Sequence, residues 1–181
     1  MSVVLRKMEE RDIQIMKTWP SYPAEFKDLD YALRDGGWVD DSFHKLGETV
    51  YAAEENGELV GFSILSRDAI DLYQAEFSIA LRPDRVGRGL GKTISLLTIE
   101  IAFFRWGLMH IFLIVRKTNF RAKRLYEYLG FELVGQTQRN IQGKTIDLFE
   151  MSLSRVDFED RWVRCGEFPR NALSLASASR H

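Results

Sequence analysis

Residues 86–92, Val-Gly-Arg-Gly-Leu-Gly-Lys, place three alternating glycines between a predicted strand and a predicted helix. Glycine adopts positive φ angles easily and lets the backbone approach a ligand without an intervening Cβ. The amides of such a turn point inward, and the following helix adds unpaired N–H groups and the positive end of its dipole. The segment therefore predicts a phosphate or pyrophosphate site, to which Arg88 and Lys92 add positive charge. The alternative is an ordinary turn into a helix.

The rest of the chain predicts a mixed α/β architecture. Strand-like apolar patterns lie at residues 3–6, 49–54, 59–65, 71–81, 111–115, 131–139 and 144–153. Helical patterns lie at residues 9–19, 24–34, 92–106, 120–129 and 156–165. Asn56-Gly57 is a strong signal for a tight hairpin. This order predicts an α/β (α+β) class with a mostly antiparallel central sheet flanked by helices. We expect one domain over residues 1–155 and a partly disordered C-terminal extension over residues 156–181.

Two nucleotide-binding motifs come close to the glycine segment but differ from it at defined residues. A P-loop requires glycine five positions before Gly91, where Val86 stands. The next buried strand ends in Arg116, where a P-loop protein would need a magnesium-binding aspartate. In the dinucleotide fingerprint the third glycine would fall at Lys92. A P-loop nucleotide-binding domain is therefore only a secondary alternative.

The glycine segment resembles the acetyl-CoA loop of the GNAT family of N-acetyltransferases, whose pattern is Arg/Gln-x-x-Gly-x-Gly/Ala. Gly89 and Gly91 match both glycine positions, whereas Val86 stands at the first position and Arg85 comes one residue early. Residues 119–131 resemble a second family pattern, in which asparagine opens a helix, Ala-x-x-Leu-Tyr follows and Gly-Phe ends it. The resemblance implies a GNAT-like acyl-CoA N-acyltransferase fold over about residues 51–153.

The same resemblance implies an N-acetyltransferase that moves an acetyl group from acetyl-CoA to a primary amine by direct attack. In the family, Tyr126 corresponds to a general acid that protonates the leaving thiolate, and Glu76 to a general base that acts directly or through water. The residues implied in acetyl-CoA binding are Ile79, Ala80, Leu81, Val86, Gly87, Arg88, Gly89, Gly91, Lys92, Asn119 and Ala122. Simpler roles stay open: Asn119 as a helix N-cap, Tyr126 as a packing residue and Glu76 as a solvated strand residue.

Charge is distributed unevenly along the chain. Residues 21–50 carry seven acids and three bases, whereas residues 82–144 carry twelve bases and four acids. The segment that follows the first predicted strand also contains the aromatic residues Trp19, Tyr22, Tyr31 and Trp38. Aromatic faces and carboxylates together suit a cation, so we expect an amine acceptor such as a small amine, amino acid, polyamine or peptide. An acidic acceptor region argues against nucleic acid as a partner. Core packing is the alternative role for these aromatics.

Several other classes of protein are not expected from the sequence. Cys165 is the single cysteine, so no intrachain disulfide can form, and the histidines lack metal-ligand spacing, so we expect no metal. No apolar run approaches the roughly 20 residues that span a bilayer, and the N-terminus lacks a signal-peptide pattern. We therefore expect a cytoplasmic protein that makes no membrane contact. A non-catalytic acyl-CoA-binding regulatory module remains an alternative, and the resemblance allows a homodimer.

Overall fold

The structure is a computed structural model that describes residues 2–24, 38–141 and 143–166 of the 181-residue chain. The strands in these ranges are β1 Val3–Lys7, β2 Glu48–Glu55, β3 Glu58–Arg67, β4 Gln74–Leu81, β5 His110–Arg116, β6 Glu132–Ile141 and β7 Lys144–Ser154. The helices are α1 Glu10–Lys17, α2 Trp38–His44, α3 Leu90–Glu100, α4 Phe120–Leu129 and α5 Arg155–Phe158. Shorter helical turns lie at Pro83–Arg85, Ile101–Arg105 and Glu159–Val163.

The strands form one sheet in the order β1-β2-β3-β4-β5-β7-β6. Only β4 and β5 run parallel, and every other neighbouring pair is antiparallel. The predicted hairpin is confirmed, because Asn56 and Gly57 have φ angles of 54° and 79° between β2 and β3. The predicted mixed class with a mostly antiparallel sheet is also confirmed. No helix in the described residues is long and apolar enough to cross a membrane.

Helices pack on both faces of the sheet and bury three apolar clusters, the smallest of which joins Leu90 and Ile94 of α3 to Ala53 and Val60. On one face, α3, α4 and α5 bury a large cluster that includes Phe77, Leu113 and Leu129. On the other face, α1 and α2 cover a second cluster that includes Phe62 and Trp19. Trp19 is only 4% exposed, so it is a core residue. Core packing, the alternative to cation binding for the aromatic residues, is therefore its role.

Some element bounds differ from the predicted ones for identifiable reasons. β4 begins at Gln74 and not at residue 71, because Asp68 and Asp71 carboxylates accept main-chain N–H groups and hold a turn before it. The predicted helix at residues 92–106 begins two residues earlier, at Leu90, and continues into the π-helical turn Ile101–Arg105. The predicted helix at residues 24–34 lies almost wholly outside the described residues. Helix α2 was not predicted.

The C-terminal segment that follows β7 packs on the main cluster. Phe158 is fully buried and Trp162 is 2% exposed. The indole Nε1 of Trp162 donates to the main-chain oxygen of Leu129 at 3.0 Å, which ties this segment to the end of α4. The division at residue 155 remains a prediction, and residues 167–181 lie outside the described part of the chain.

Candidate active site

A gap opens in the sheet between the two parallel strands. β4 and β5 pair only at three positions, the last of which joins Glu76 to Phe112. Beyond that point β4 continues along β3 as far as Leu81, and β5 continues along β7 as far as Arg116. The facing edges of β4 and β5 therefore separate and expose main-chain groups to the space between them.

The pairing of β4 with β3 decides which main-chain groups face this gap. Arg82 N–H donates to the Val60 oxygen at 2.9 Å, so Arg82 directs its main-chain groups toward β3. In an antiparallel pair, alternate residues direct both their N–H and C=O groups to the same side. The even-numbered residues of β4 thus bond to β3, and the odd-numbered ones face β5. The N–H and C=O groups of Ile79 and Leu81 consequently face the gap.

A cavity of about 440 Å³ occupies the gap. It is bounded by the end of β4, the glycine loop, the start of α3, α4 and the segment after α1. The lining residues are Tyr22, Pro23, Ile79, Ala80, Leu81, Pro83, Val86, Gly87, Gly89, Gly91, Lys92, Asn119, Arg121, Ala122, Leu125 and Tyr126. The predicted acetyl-CoA contacts are therefore brought together here, except Arg88, which is exposed and does not line the cavity.

The glycine loop turns through two left-handed residues before α3 begins. Gly87 has a φ angle of +98°, and Gly89, the N-cap residue of α3, has a φ angle of +81°. The first N–H groups of α3 have no intrahelical partner and stand beside the cavity. The loop is covered by Arg121, since a Cβ at position 87 would lie 2.9 Å from the Nη2 atom of Arg121. Sequence reasoning missed Arg121, although it is a basic residue two positions after Asn119 in the second motif.

We expect Gly87→Ala to raise the KM for acetyl-CoA by at least about tenfold, because the new methyl group would strain a left-handed residue and displace the guanidinium of Arg121. The matched control is Gly57→Ala. Gly57 also has positive φ (+79°), but it lies in the β2–β3 turn, where an added Cβ would meet nothing within 4 Å. Steady-state thiol release would measure both variants. An equal change in KM for both would show that strain alone is responsible.

The stretch before the glycine loop is anchored by ion pairs. The Glu58 carboxylate accepts from Arg82 Nη1 at 2.6 Å and also contacts the guanidinium of Arg85. Arg85, which comes one residue early for the family pattern, is thus engaged with the start of β3. Val86, at the pattern position itself, is 41% exposed and lines the cavity.

Lys92 lies in the first turn of α3 and lines the cavity. Its Nζ donates to the Tyr128 hydroxyl at 2.7 Å and lies 5.3 Å from the centroid of the Trp162 ring. Tyr128 and Trp162 also contact each other edge to face, with ring centroids 5.5 Å apart. A cation near aromatic faces is stabilised by their quadrupoles. The C-terminal segment therefore helps to fix the side chain of Lys92.

Tyr126 enters the cavity from α4. Asn119 begins this helix as its N-cap, accepting the Ala122 N–H at 3.1 Å, and it also lines the cavity. The Tyr126 ring packs edge to face against Phe77 and Phe131, with centroid distances of 6.4 Å and 5.8 Å. Burial raises the pKa of Tyr126 well above its usual range, so the phenol stays protonated at neutral pH. Its hydroxyl has no hydrogen-bond partner in the described part of the chain.

Glu76 lies on the other side of the sheet. Phe77 belongs to the cluster under α3 and α4, whereas Ala80 packs with α1 and α2, so the even-numbered side chains of β4 face α1 and α2. Glu76 is the last β4 residue paired with β5 and does not line the cavity. Burial raises the pKa of Glu76 above its ordinary value of 4.5, and the charge of Glu48 adds to this effect.

Comparison with known proteins identifies the class to which this cleft belongs. The sequence model of the acetyltransferase (GNAT) family matches residues 14–131. Because this match covers more than half of the chain, the protein belongs to the acetyltransferase (GNAT) family. It is an acetyl-CoA-dependent N-acetyltransferase that acts on an amine, as the two sequence motifs predicted.

Named relatives agree with this assignment. The spermidine N(1)-acetyltransferase of Escherichia coli strain K12 is 29% identical over 146 residues, which cover 75% of each chain. A chimera of Vibrio cholerae spermidine N-acetyltransferase SpeG and hSSAT has a TM-score of 0.76 at 23% identity and covers 89% of this chain and 100% of its own. A Vibrio cholerae SpeG structure with manganese ions has a TM-score of 0.68 at 24% identity, with coverages of 88% and 96%. Within the described residues of the present chain, no cluster of three or more His, Cys, Asp or Glu side chains could hold a metal ion.

Proposed function

We propose that this enzyme acetylates a polyamine such as spermidine. The observation that supports this acceptor is a row of polar side chains across three neighbouring strands. Glu48 pairs in register with Ser66, and Ser66 pairs with Glu76, so all three side chains lie on one face. The backbone positions of the two glutamates are therefore about 10 Å apart, the width of two strand spacings. Such a pair suits a ligand with more than one ammonium group.

Glu48 already binds an ammonium group in this structure. Its carboxylate accepts from Lys45 Nζ at 2.6 Å, and its side chain is only 9% exposed. Although burial opposes ionisation, hydrogen bonds from Lys45, Ser42 and Ser66 hold the pKa of Glu48 below its usual range, so it is anionic at neutral pH. The Lys45 side chain is 67% exposed and can yield its place to the second ammonium group of a polyamine. The names of the curated and structural relatives favour the same acceptor class.

The positions of these groups support a proposed role for each of them in the transfer. Main-chain groups of Ile79 and Leu81 bind the pantetheine arm in the gap, and the glycine loop with Lys92 and Arg121 binds the phosphates. Glu76 takes a proton from the ammonium group, and the free amine then attacks the thioester carbon. A main-chain N–H of β4 polarises the thioester carbonyl as the C–N bond forms. The C–S bond breaks, and Tyr126 gives its proton to the departing thiolate. The attacking nitrogen, which is cationic after the C–N bond forms, loses its second proton to solvent as the amide forms. Glu76 then releases its proton to water, and the Tyr126 phenolate takes one back.

Thiol release from acetyl-CoA tests the acceptor assignment. The purified protein would be assayed with spermidine, spermine and putrescine, and with butylamine, single amino acids, an aminoglycoside and a short peptide. We expect kcat/KM for spermidine to exceed that for butylamine by at least about 100-fold, because only the polyamine can engage both carboxylates. Equal values for butylamine and spermidine, or a clear preference for the peptide, would contradict the polyamine assignment.

The raised pKa of Glu76 predicts the acid side of the pH profile. Only the carboxylate can accept a proton, so kcat/KM should fall as the pH decreases through the pKa of Glu76, and this fall should lie above pH 4.5. Glu76→Gln should remove this limb and lower kcat/KM at neutral pH by about 100-fold. At neutral pH the Glu76→Gln variant should be at least as stable as the parent protein. The raised pKa of Glu76 means that its ionisation destabilises the folded parent as the pH rises, and the variant lacks this ionisation.

The matched control for this variant is Glu132→Gln, which removes the same charge from an exposed position at the start of β6. It should keep both the rate and the pH profile of the parent enzyme. An acid limb that persists in Glu76→Gln would assign the proton acceptor to another group.

A further inference from the structure

We propose that Tyr22 competes with the pantetheine arm of acetyl-CoA for the main-chain carbonyl of Leu81 and thereby sets the affinity of the enzyme for its acyl donor. The inference deepens the proposed function at its donor side and depends on acetyl-CoA binding in the gap. It does not depend on the identity of the amine.

The contact that carries the proposal joins the segment after α1 to the end of β4. The Tyr22 hydroxyl donates to the Leu81 oxygen at 2.7 Å, across 59 residues of sequence. Tyr22 is half-buried, and together with Pro23 it lines the same cavity as Ile79 and Leu81. A residue from outside the two sequence motifs thus occupies part of the donor cleft.

The carbonyl that Tyr22 engages is one that the sheet leaves available. The pairing of Arg82 with Val60 directs the main-chain groups of Leu81 away from β3 and toward β5. β5 has already separated from β4 at this level, because their pairing ends at Glu76 and Phe112. A carbonyl without a partner is unfavourable where water is excluded, and the Tyr22 phenol supplies a donor to the part-buried Leu81 oxygen.

The pantetheine arm carries secondary amides, which are donors of the same kind as a strand N–H. An extended chain that enters between two separated strands pairs with their free main-chain groups, in the manner of strand addition. On β4 the gap-facing groups at this level belong to Ile79 and Leu81. The phenol ring and the arm would then need the same carbonyl and the same volume of the cavity, so binding of the arm displaces Tyr22.

Displacement of Tyr22 lowers the apparent affinity for the donor. A ligand that binds only the open state has its affinity reduced by the fraction of molecules in that state. Removing the hydroxyl deletes one hydrogen bond of the closed state and leaves the aromatic ring. We therefore expect Tyr22→Phe to bind acetyl-CoA about three- to tenfold more tightly than the parent protein.

Isothermal titration calorimetry without any amine would measure this effect with three ligands. Acetyl-CoA and acetyl-pantetheine both contain the arm, and their dissociation constants should both decrease in Tyr22→Phe. Adenosine 3′,5′-bisphosphate lacks the arm, and its dissociation constant should be the same in both proteins. An unchanged or weaker affinity for acetyl-CoA, or an equal gain for the bisphosphate, would overturn the proposal.

Two further variants make the result specific. Tyr73→Phe removes a hydroxyl from a 65%-exposed tyrosine in the β3–β4 turn and should leave all three dissociation constants unchanged. Tyr22→Leu deletes the hydroxyl in a different way and should change acetyl-CoA affinity in the same direction as Tyr22→Phe. Thermal unfolding followed by circular dichroism would confirm that each variant is folded. Because no amine is present, a wrong polyamine assignment leaves the outcome unaffected.

Discussion

Tyr126→Phe is expected to lower kcat by about 100-fold or more and to leave the KM for acetyl-CoA within about threefold of the parent value. Tyr126 lines the cavity, and burial keeps the pKa of its hydroxyl well above the usual range, so the parent enzyme holds a proton to donate at neutral pH. Without that donor, the thiolate of CoA must leave unprotonated or take a proton from water. A change confined to kcat would show that the lost interaction belongs to the transition state.

The same substitution should preserve the fold. The Tyr126 hydroxyl has no hydrogen-bond partner within the described residues, and the ring contacts with Phe77 and Phe131 remain in phenylalanine. Thermal unfolding of Tyr126→Phe should therefore match the parent protein, and Tyr73→Phe again supplies a hydroxyl deletion outside the site. Full turnover in Tyr126→Phe would remove Tyr126 from the role of general acid.

Phe158→Ala is expected to lower the free energy of unfolding by about 3–5 kcal/mol. Phe158 is fully buried after β7, and its ring lies 5.6 Å from that of Phe103 in the helical turn that extends α3. Truncation to alanine leaves a cavity that neighbouring backbone cannot easily fill. Urea denaturation should show a lower midpoint with an unchanged slope, since the surface exposed on unfolding hardly changes.

Val156→Ala provides the matched control in the same short helix. Val156 is 55% exposed, so its truncation should cost less than about 0.5 kcal/mol. A cost below about 1 kcal/mol for Phe158→Ala would favour the predicted boundary at residue 155. A large cost would instead extend the domain through residue 163, at the end of the helical turn that contains Trp162.

The sequence determined those parts of the protein that depend on near neighbours. The Asn56-Gly57 hairpin, the Asn119 N-cap and the positive φ angles of the glycine loop are local conformations, and the residues themselves impose them. The family motifs depend on the same local constraints, which is why the fold, the donor and most of the cavity-lining residues could be predicted. Arg88 was predicted as an acetyl-CoA contact but does not line the cavity, because the direction of a side chain in a turn is not encoded by residue type alone.

Contacts between distant segments were decided only by the tertiary structure. Three such contacts join separate elements of the fold, and no periodicity or motif in the sequence predicts them. They are the contacts of Arg121 with Gly87, of Trp162 with Lys92 and of Tyr22 with Leu81. Glu76 and Tyr126 lie on opposite faces of the sheet. This placement depends on the register of β4, because a shift of one residue would move every side chain of the strand to the other face. The point where β4 and β5 separate is likewise set by pairing between distant segments, and it creates the cleft that the glycine loop lines.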